Sequence, residues 1–243
     1  MRDAASAVLV AAVEGMVLTS EEERFFREEA PAGVTLFKRN IPQEDYTKLL
    51  KLTAELQATR ANGQPPLVIA IDQEGGRVAR IGSPFPNLGP ALQLAGGGID
   101  SSSLETIKNY GAAVGAELKH LGVNVDFAPV VDIFTEPSNV AIGDRCFGTT
   151  AEQVSLRAGA FMDGLQGTNV LGCLKHFPGQ GDARVDTHEG TAIIVQQDRF
   201  EVLGVSKVAI YDARHKARPD EKRHYFLQTG DTFDMLSRKT LKP

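Results

Sequence analysis

The chain has 243 residues and a formal net charge of −5, with 42% hydrophobic and 23% charged residues. This length fits one large domain or two small ones, and the composition excludes the disordered, collagen-like and coiled-coil classes. The negative charge argues against nucleic acid as a partner, because nucleic-acid modules usually present a basic face.

The first apolar stretch, residues 7–13, is far shorter than the roughly 20 residues of a membrane-spanning helix. Asp3 interrupts the basic flank that a secretory signal would need. The two cysteines, Cys146 and Cys173, form neither a disulfide framework nor a zinc-binding spacing. These features predict a cytoplasmic protein with no membrane partner.

Up to about residue 195, short apolar runs rich in Val and Ile alternate with longer segments of helical periodicity. This alternation is typical of parallel strands joined by helices, and each strand is expected to be buried on both faces. The predicted strands are residues 7–13, 33–37, 67–72, 123–132 and 170–177.

Four helices are predicted between these strands. Thr19 or Ser20, followed three residues later by a glutamate, forms a capping box for a helix over residues 20–30. Pro42 is expected to open the second helix. Apolar residues at helical spacing mark the buried faces of the third and fourth helices, over residues 104–121 and 154–165.

Parallel strands joined by helices form either a doubly wound sheet or a (β/α)8 barrel, and both place ligand-binding groups at the carboxyl ends of the strands. Asp72, Asp132 and the pair Lys175-His176 follow three of the apolar runs. We therefore expect these ionisable groups to lie together at one edge of the sheet.

The character of the chain changes after residue 195. Residues 196–243 contain ten Lys and Arg against seven Asp and Glu, and only one strand, over 205–211, is predicted there. We expect residues 1–195 to form the barrel portion with the binding site. Residues 196–243 are expected to form a divergent charged tail with one further strand and helix, which leaves the barrel incomplete at its C-terminal end.

The turn after the third strand contains candidate ligand-binding groups. Asp72 offers two acceptor oxygens, and Arg77 or Arg80 offers a fork of donors, a combination that suits a polyol. A tight turn with a surface salt bridge is the alternative. Farther along, Arg145 beside Asp144 is either an oriented guanidinium or half of an ion pair that locks a loop.

The segment 175–188 places Lys175 and His176 at a strand end and continues through a glycine-rich loop to Asp186 and His188. Histidine exchanges protons near neutral pH, and a neighbouring carboxylate fixes its tautomer. Asp186 and His188 are therefore a candidate proton-transfer dyad. A competing interpretation joins Asp72, His176, Asp186 and His188 in a zinc or iron site.

Five motifs resemble family 3 glycoside hydrolases, in particular the bacterial β-N-acetylhexosaminidases of the NagZ type. They stand in family order over residues 7–195: G-V-T-L-F-K-R-N-I (33–41), D-Q-E-G-G-R-V (72–78), V-D-F-A-P-V-V-D (125–132), G-D-R-C-F (143–147) and K-H-F-P-G (175–179).

The resemblance implies a (β/α)8 barrel that removes terminal N-acetylglucosamine from cell-wall fragments with retention of configuration, without a metal or cofactor. The groups that it implies hold the sugar are Asp72, Arg80, Arg145, Lys175 and His176. His188 would then protonate the departing oxygen and later activate water, while Asp186 orients its ring.

The chain departs from the family pattern at two places. Gln180 stands where the family usually has histidine. The nucleophilic aspartate, which the family carries in a run resembling S-D-D-L, is not recognisable. Asp212 is a weak candidate for it, and Asp234 is weaker because no strand is predicted before it.

Two functions therefore remain open. The first is retaining hydrolysis by the His188–Asp186 dyad. The second is a catalytically impaired sugar-binding or assembly remnant of the same barrel, whose open strand edges would favour homo-oligomers.

Overall fold

The computed structural model describes residues 6, 8–42, 45–94, 96 and 98–176, and the strand segments 191–196, 199–204, 208–211, 224–227, 231–234 and 239–241. The chain divides into two compact units, Met1–Arg184 and Val185–Pro243.

The first unit contains a five-stranded parallel sheet in the order β1-β2-β3-β6-β7. All five predicted strands are confirmed, each shorter than predicted. Successive parallel strands lie side by side without a reversal of order, as in a barrel and unlike a doubly wound sheet. The fold is therefore TIM-barrel-like. The strands are β1 Val10–Ala12, β2 Gly33–Leu36, β3 Val68–Ile71, β6 Val125–Asp126 and β7 Leu171–Gly172.

A short antiparallel pair follows β3 directly. It consists of β4, Gln73–Gly75, and β5, Val78–Ala79, with an irregular register between them. This pair is where the polar D-Q-E-G-G-R-V motif lies. Its position immediately beyond a barrel strand brings the motif to the carboxyl end of the sheet.

In the described part of the first unit, five helices lie between the strands. Each predicted helix is present, and the structure adds the one-turn helix α3. They are α1 Ser20–Glu28, α2 Thr47–Gln57, α3 Ala91–Leu94, α4 Ser101–His120 and α5 Ala151–Gly167, with short 3-10 turns at Lys38–Asn40 and Gly143–Arg145.

Side-chain hydrogen bonds to the backbone determine where helices α1 and α2 begin. Thr19 and Glu22 form the predicted capping box of α1. Pro42 does not open α2, which begins five residues later. Asp45 instead accepts a hydrogen bond from the backbone N–H of Thr47 at 3.1 Å and so satisfies a donor at the start of the helix.

The main hydrophobic core of the described residues joins the sheet to the helices, and a smaller cluster of Val130, Ile142 and Cys146 is separate from it. In the main core, Val34, Leu36, Ile69 and Ile71 of the neighbouring strands β2 and β3 are fully buried. Helices α4 and α5 pack together through glycines, since an added Cβ on Gly164 would collide with the carbonyl oxygen of Lys108. This close approach fixes α5, and therefore the strand that follows it.

The two outer strands are not buried on both faces, contrary to the prediction. Val10 of β1 is 46% exposed and Leu171 of β7 is 59% exposed. Among the described residues, β1 and β7 are the two end strands of this sheet, where fewer neighbouring elements cover the side chains.

The second unit is antiparallel where the structure describes it. It contains a four-stranded sheet of order β13-β12-β9-β8 and a separate β10-β11 pair. The strands are β8 Thr191–Gln196, β9 Arg199–Gly204, β10 Val208–Tyr211, β11 His224–Leu227, β12 Thr232–Asp234 and β13 Lys239–Leu241.

The single strand predicted for this region, 205–211, is represented by β10, but its partner β11 runs antiparallel to it. The expectation that no strand precedes Asp234 is wrong, because Asp234 ends β12. These strands are three to six residues long, too short for a clear periodic signal. Within the described residues, no helix has the length and apolar character that a membrane span requires.

Candidate functional site

The charged groups of the site stand at the carboxyl ends of neighbouring strands. Asp72 follows β3, and the segment after β7 runs beside the segment after β6, where Val130 and Lys175 form a parallel bridge. The backbone N–H of Val131 donates to the carbonyl oxygen of Lys175 at 2.6 Å. This backbone pairing brings Lys175 to the same edge of the sheet as Asp72.

Asp72 is held between two cations. Its Oδ1 accepts a hydrogen bond from Nζ of Lys175 at 2.7 Å, and its Oδ2 accepts one from Nη2 of Arg80 at 3.1 Å. Burial alone would raise the pKa of Asp72, but hydrogen bonds and charge from Lys175 and Arg80 outweigh it and lower the pKa below its usual value. The carboxylate therefore stays ionised, with lone pairs to spare for hydroxyl donors.

Glu74 is the central carboxylate of the cluster, and the sequence interpretation did not single it out. Its Oε2 accepts from Nε of Arg145 and its Oε1 from Nη2, each at 2.7 Å. Nζ of Lys175 lies 2.5 Å from the same Oε1. The signal was available, because Asp72 and Glu74 are two residues apart and alternate residues of an extended chain share a face.

Arg145 is an oriented guanidinium, and its partner is Glu74 rather than the adjacent Asp144. The hydrogen bonds from Arg145 to Glu74 raise the pKa of the guanidinium further. Asp144 pairs instead with Nε of Arg77 at 3.1 Å. Arg77 also donates from Nη2 to the carbonyl oxygens of Val140 and Ala141, at 2.8 and 2.9 Å, and so holds the loop that carries Arg145.

Two glycines shape the turn between Glu74 and Arg77. Gly75 has a φ of 93° and Gly76 a φ of 55°, both in the left-handed region that favours glycine. A Cβ on Gly75 would lie 2.9 Å from the carbonyl oxygen of Gly89, and one on Gly76 would lie 2.8 Å from Cα of Pro90. The G-G pair therefore lets the backbone turn tightly against the segment 87–90.

His176 and Asp132 form a second pair at this edge. Nδ1 of His176 lies 2.6 Å from Oδ2 of Asp132, which also accepts the backbone N–H of His176 at 3.2 Å. The Asp132 side chain is 1% exposed and the His176 side chain 39% exposed. Asp132 therefore fixes the orientation of the imidazole through Nδ1, while part of the His176 side chain remains exposed to solvent.

Asp126 lies beneath the charged cluster at the end of β6 and is fully buried. Its Oδ1 accepts the backbone N–H of Gln73 at 2.9 Å, and its Oδ2 has no hydrogen-bond partner within the part of the chain that the structure describes. Burial raises the pKa of Asp126 well above its usual value, with smaller contributions from neighbouring charges. The sequence interpretation placed Asp126 within a motif but gave it no role.

The structure thus brings together five of the seven predicted site residues: Asp72, Arg80, Arg145, Lys175 and His176. Asp186 and His188 lie outside the described residues, as do Gln180 and Asp212. Among the residues that are described, no three His, Cys, Asp or Glu side chains are placed to hold a metal ion.

A separate cavity of about 390 Å³ lies between the start of α2 and the end of α4. Its lining includes Tyr46, Phe85 and His120 and shares no residue with the charged cluster. The cavity is mostly apolar, so within the described residues the charged cluster at the strand ends is the better candidate for polar chemistry.

Comparison with protein-family models matches residues 9–211 to the description "Glycosyl hydrolase family 3 N terminal domain". Among curated proteins, the chain is 41% identical over 184 residues to a beta-hexosaminidase of Nitrosomonas eutropha, covering 74% of this chain and 51% of the relative. A beta-hexosaminidase of Methylococcus capsulatus is 36% identical over 191 residues, covering 77% of this chain and 53% of the relative. The chain thus spans about half the length of the curated relatives it matches.

Solved structures agree with the sequence comparisons. NagZ from Neisseria gonorrhoeae in complex with N-trifluoroacetyl-D-glucosamine superposes with a TM-score of 0.67 at 34% identity, covering 76% of this chain and 53% of that one. A family 3 beta-N-acetylglucosaminidase from Paenibacillus superposes with a TM-score of 0.69 at 34% identity, covering 77% of this chain and 35% of that one.

Proposed function

The chain belongs to glycosyl hydrolase family 3, and from that premise we propose that it is a retaining glycoside hydrolase that removes terminal β-linked N-acetylglucosamine. Cell-wall fragments of the muropeptide type are the proposed source of this sugar. The similarity to beta-hexosaminidases, and to a NagZ structure in complex with a glucosamine derivative, supports this substrate class.

The observation that carries the proposal is the convergence of charged groups from separate elements around Lys175. Its ammonium group contacts Asp72 from the end of β3 and Glu74 from β4, and Glu74 in turn holds Arg145 from the 143–145 turn. A hexose has hydroxyls on several ring carbons, and each hydroxyl both donates and accepts. A fixed array of carboxylate acceptors with ammonium and guanidinium donors is complementary to such a ligand.

In the proposed mechanism, Asp72 accepts hydrogen bonds from sugar hydroxyls, while Lys175, Arg80 and Arg145 donate to sugar oxygens. The exposed part of the His176 side chain faces the ligand. Because Asp72 and its partners are already paired before the sugar arrives, little rearrangement is needed on binding.

Bond breaking is assigned to residues outside the described part of the chain. His188 gives its proton to the glycosidic oxygen as the bond to the leaving group breaks, and a carboxylate nucleophile forms a glycosyl-enzyme bond at the anomeric carbon. His188 then takes a proton from the water that hydrolyses this intermediate, and Asp186 orients its ring. The sequence does not identify the aspartate that supplies this nucleophile; Asp212, which follows β10 directly in sequence, is only a weak candidate for it.

The test is release of 4-nitrophenol from 4-nitrophenyl N-acetyl-β-glucosaminide, compared with release of methanol from the methyl glycoside. Wild type is expected to hydrolyse both, and His188→Ala is expected to lose far more activity on the methyl glycoside, because methanol needs the acid more than nitrophenolate does. His120→Ala, an exposed histidine at the end of α4, is the control and is expected to keep both activities. Absence of hydrolysis by folded wild type would reject the proposed activity.

Two further parts of the proposal concern the cellular location of the protein and its need for a metal or cofactor. We propose that the protein acts in the cytoplasm and that its hydrolysis requires no metal or cofactor. Dialysis against EDTA is expected to leave the rate unchanged, and a loss restored by zinc would favour the metal site that includes Asp72 and His176.

Exposure of the outer strands favours a second candidate, a catalytically impaired sugar-binding or assembly remnant. Val10 and Leu171, at 46% and 59% exposed, offer apolar side chains on β1 and β7, the two end strands of the five-stranded sheet that the structure describes. This candidate predicts oligomers in light scattering, and saturable heat with N-acetylglucosamine without turnover. An active, monodisperse monomer would contradict it.

A further inference from the structure

We infer that Glu74 is a positioning residue that holds Lys175 and Arg145 in place for the sugar, an inference that rests on the proposed function. Glu74 belongs to β4, and the two cations come from the segment after β7 and the 143–145 turn. One carboxylate therefore ties together three parts of the chain that are far apart in sequence.

The side chain of Glu74 is less exposed than those of Lys175 and Arg145, which indicates that the cations rather than Glu74 contact a ligand. The side chain of Glu74 is 5% exposed, whereas those of Lys175 and Arg145 are 15% and 16% exposed. The oxygens of Glu74 are already occupied by Nε and Nη2 of Arg145 and by Nζ of Lys175. Glu74 thus acts on a ligand through the two cations rather than by touching it.

The geometry of the Glu74–Arg145 pair defines the plane of the guanidinium. Two parallel N–H···O bonds of 2.7 Å fix both the position and the rotation of the group. Nη1 of Arg145 donates to the carbonyl oxygen of Ala141 at 2.8 Å, so the opposite side of the guanidinium is fixed as well. Ala141 is also held by Arg77, which extends the support to the loop itself.

Charge explains why a carboxylate is needed at this position. Lys175, Arg145 and Arg80 bring three positive charges to the cluster, and Asp72 and Glu74 are the described carboxylates that pair with them directly. Without the charge of Glu74, Lys175 and Arg145 would repel each other at a largely buried site and would move apart. Asp72, which shares Lys175, would lose its alignment at the same time.

The test compares Glu74→Gln with Glu23→Gln, a matched control in which the same substitution removes the partner of another arginine. Glu23 accepts from Nε and Nη2 of Arg27 at 3.1 and 2.8 Å, but that pair is about half exposed on α1. Glu74→Gln is expected to raise KM by roughly tenfold or more with a smaller change in kcat, because Lys175 and Arg145 are no longer held in the positions from which they donate to the sugar. Glu23→Gln is expected to leave KM and kcat unchanged.

A second measurement keeps the inference testable without any sugar. Acetylation of Lys175 by acetic anhydride is followed by peptide mass mapping, with the 74% exposed Lys51 as an internal reference. Glu74→Gln is expected to increase the acetylation rate of Lys175 relative to Lys51, whereas Glu23→Gln is not. If Glu74→Gln does not fold, the same comparison is made with Glu74→Asp, which keeps the charge but is one methylene too short to reach both cations.

The two experiments test the proposed function and the positioning role of Glu74 separately. Failure of wild type to bind or hydrolyse an N-acetylglucosaminide overturns the proposed function, while the labelling of Lys175 still decides the role of Glu74. Unchanged KM and unchanged labelling in a folded Glu74→Gln variant overturn the positioning role and leave the proposed function standing.

Discussion

Nζ of Lys175 lies 2.7 Å from Oδ1 of Asp72, although the two residues are 103 positions apart in sequence. The parallel sheet creates this contact, because β3 and β7 end at the same edge and the Val130–Lys175 bridge aligns the two later segments. The fold therefore assembles a charged ligand-binding surface from residues that have no local relation to one another.

Buried Asp126 predicts a stability that falls as the pH rises. Burial raises its pKa well above the usual value, so the unfolded chain releases this proton at a lower pH than the folded chain does. Stability is then lost as the pH rises from about 4, the usual aspartate pKa, towards the raised pKa of the folded state. Asp126→Asn keeps an acceptor for the N–H of Gln73 and removes the ionisation.

Urea unfolding of wild type and Asp126→Asn at pH 4 and pH 7 measures this effect. The free energy of unfolding of the variant, relative to wild type, is expected to be higher at pH 7 than at pH 4. A difference that is the same at both pH values would show that Asp126 does not carry the proton.

The contact between α4 and α5 predicts opposite effects for two glycines of one helix. A Cβ on Gly164 would collide with the carbonyl oxygen of Lys108, whereas a Cβ on Gly159 would meet nothing within 4 Å. Gly164→Ala is expected to destabilise the protein by about 3 kcal/mol through overpacking. Gly159→Ala is expected to stabilise it by about 0.5–1 kcal/mol through helix propensity.

Thermal unfolding followed by circular dichroism distinguishes the two glycine variants. Equal melting temperatures for Gly164→Ala and Gly159→Ala would contradict the close packing of α4 on α5.

Arg157 is a buried arginine whose hydrogen bonds, within the described part of the chain, go to backbone oxygens. Its Nε and Nη2 donate to the carbonyl oxygen of Gly98, at 3.1 and 3.0 Å, and its Nη1 donates to that of Phe147 at 2.9 Å. Arg157→Met is expected to cost about 3 kcal/mol of unfolding free energy, because two carbonyl oxygens lose their donors. Arg27→Met, which removes an exposed partner of Glu23, is expected to change the free energy of unfolding by less than about 1 kcal/mol.

Chemical denaturation of the two arginine variants provides the measurement. A loss for Arg157→Met no larger than that for Arg27→Met would show that the two backbone contacts of Arg157 contribute little.

The sequence predicts the parallel strands and the site edge because both depend on strong local signals. Apolar runs followed by Asp72 and by Lys175-His176 mark the ends of two strands. In a barrel of parallel strands, the carboxyl ends of all strands lie at the same end of the barrel, so these residues are expected to lie close together. The strand predicted over 123–132 is too long, since Pro129 lacks the N–H that a ladder requires and only Val125–Asp126 pairs as a strand.

Partner choice within the site could not be predicted from sequence. Asp144 and Arg145 are adjacent, and yet Asp144 pairs with Arg77 and Arg145 with Glu74. Adjacent side chains in the 143–145 turn point in different directions, and their partners depend on how that loop meets the β4–β5 turn. Only the three-dimensional arrangement supplies this information.

The central claim is that the charged cluster is one sugar-binding pocket, and isothermal titration with N-acetylglucosamine tests it most directly. Wild type and the surface variant Asp163→Asn are expected to give the same saturable heat, and Asp72→Asn is expected to bind at least about tenfold more weakly because the ion pairs to Lys175 and Arg80 are lost. No saturable heat from folded wild type, or unchanged affinity in Asp72→Asn, would contradict the claim.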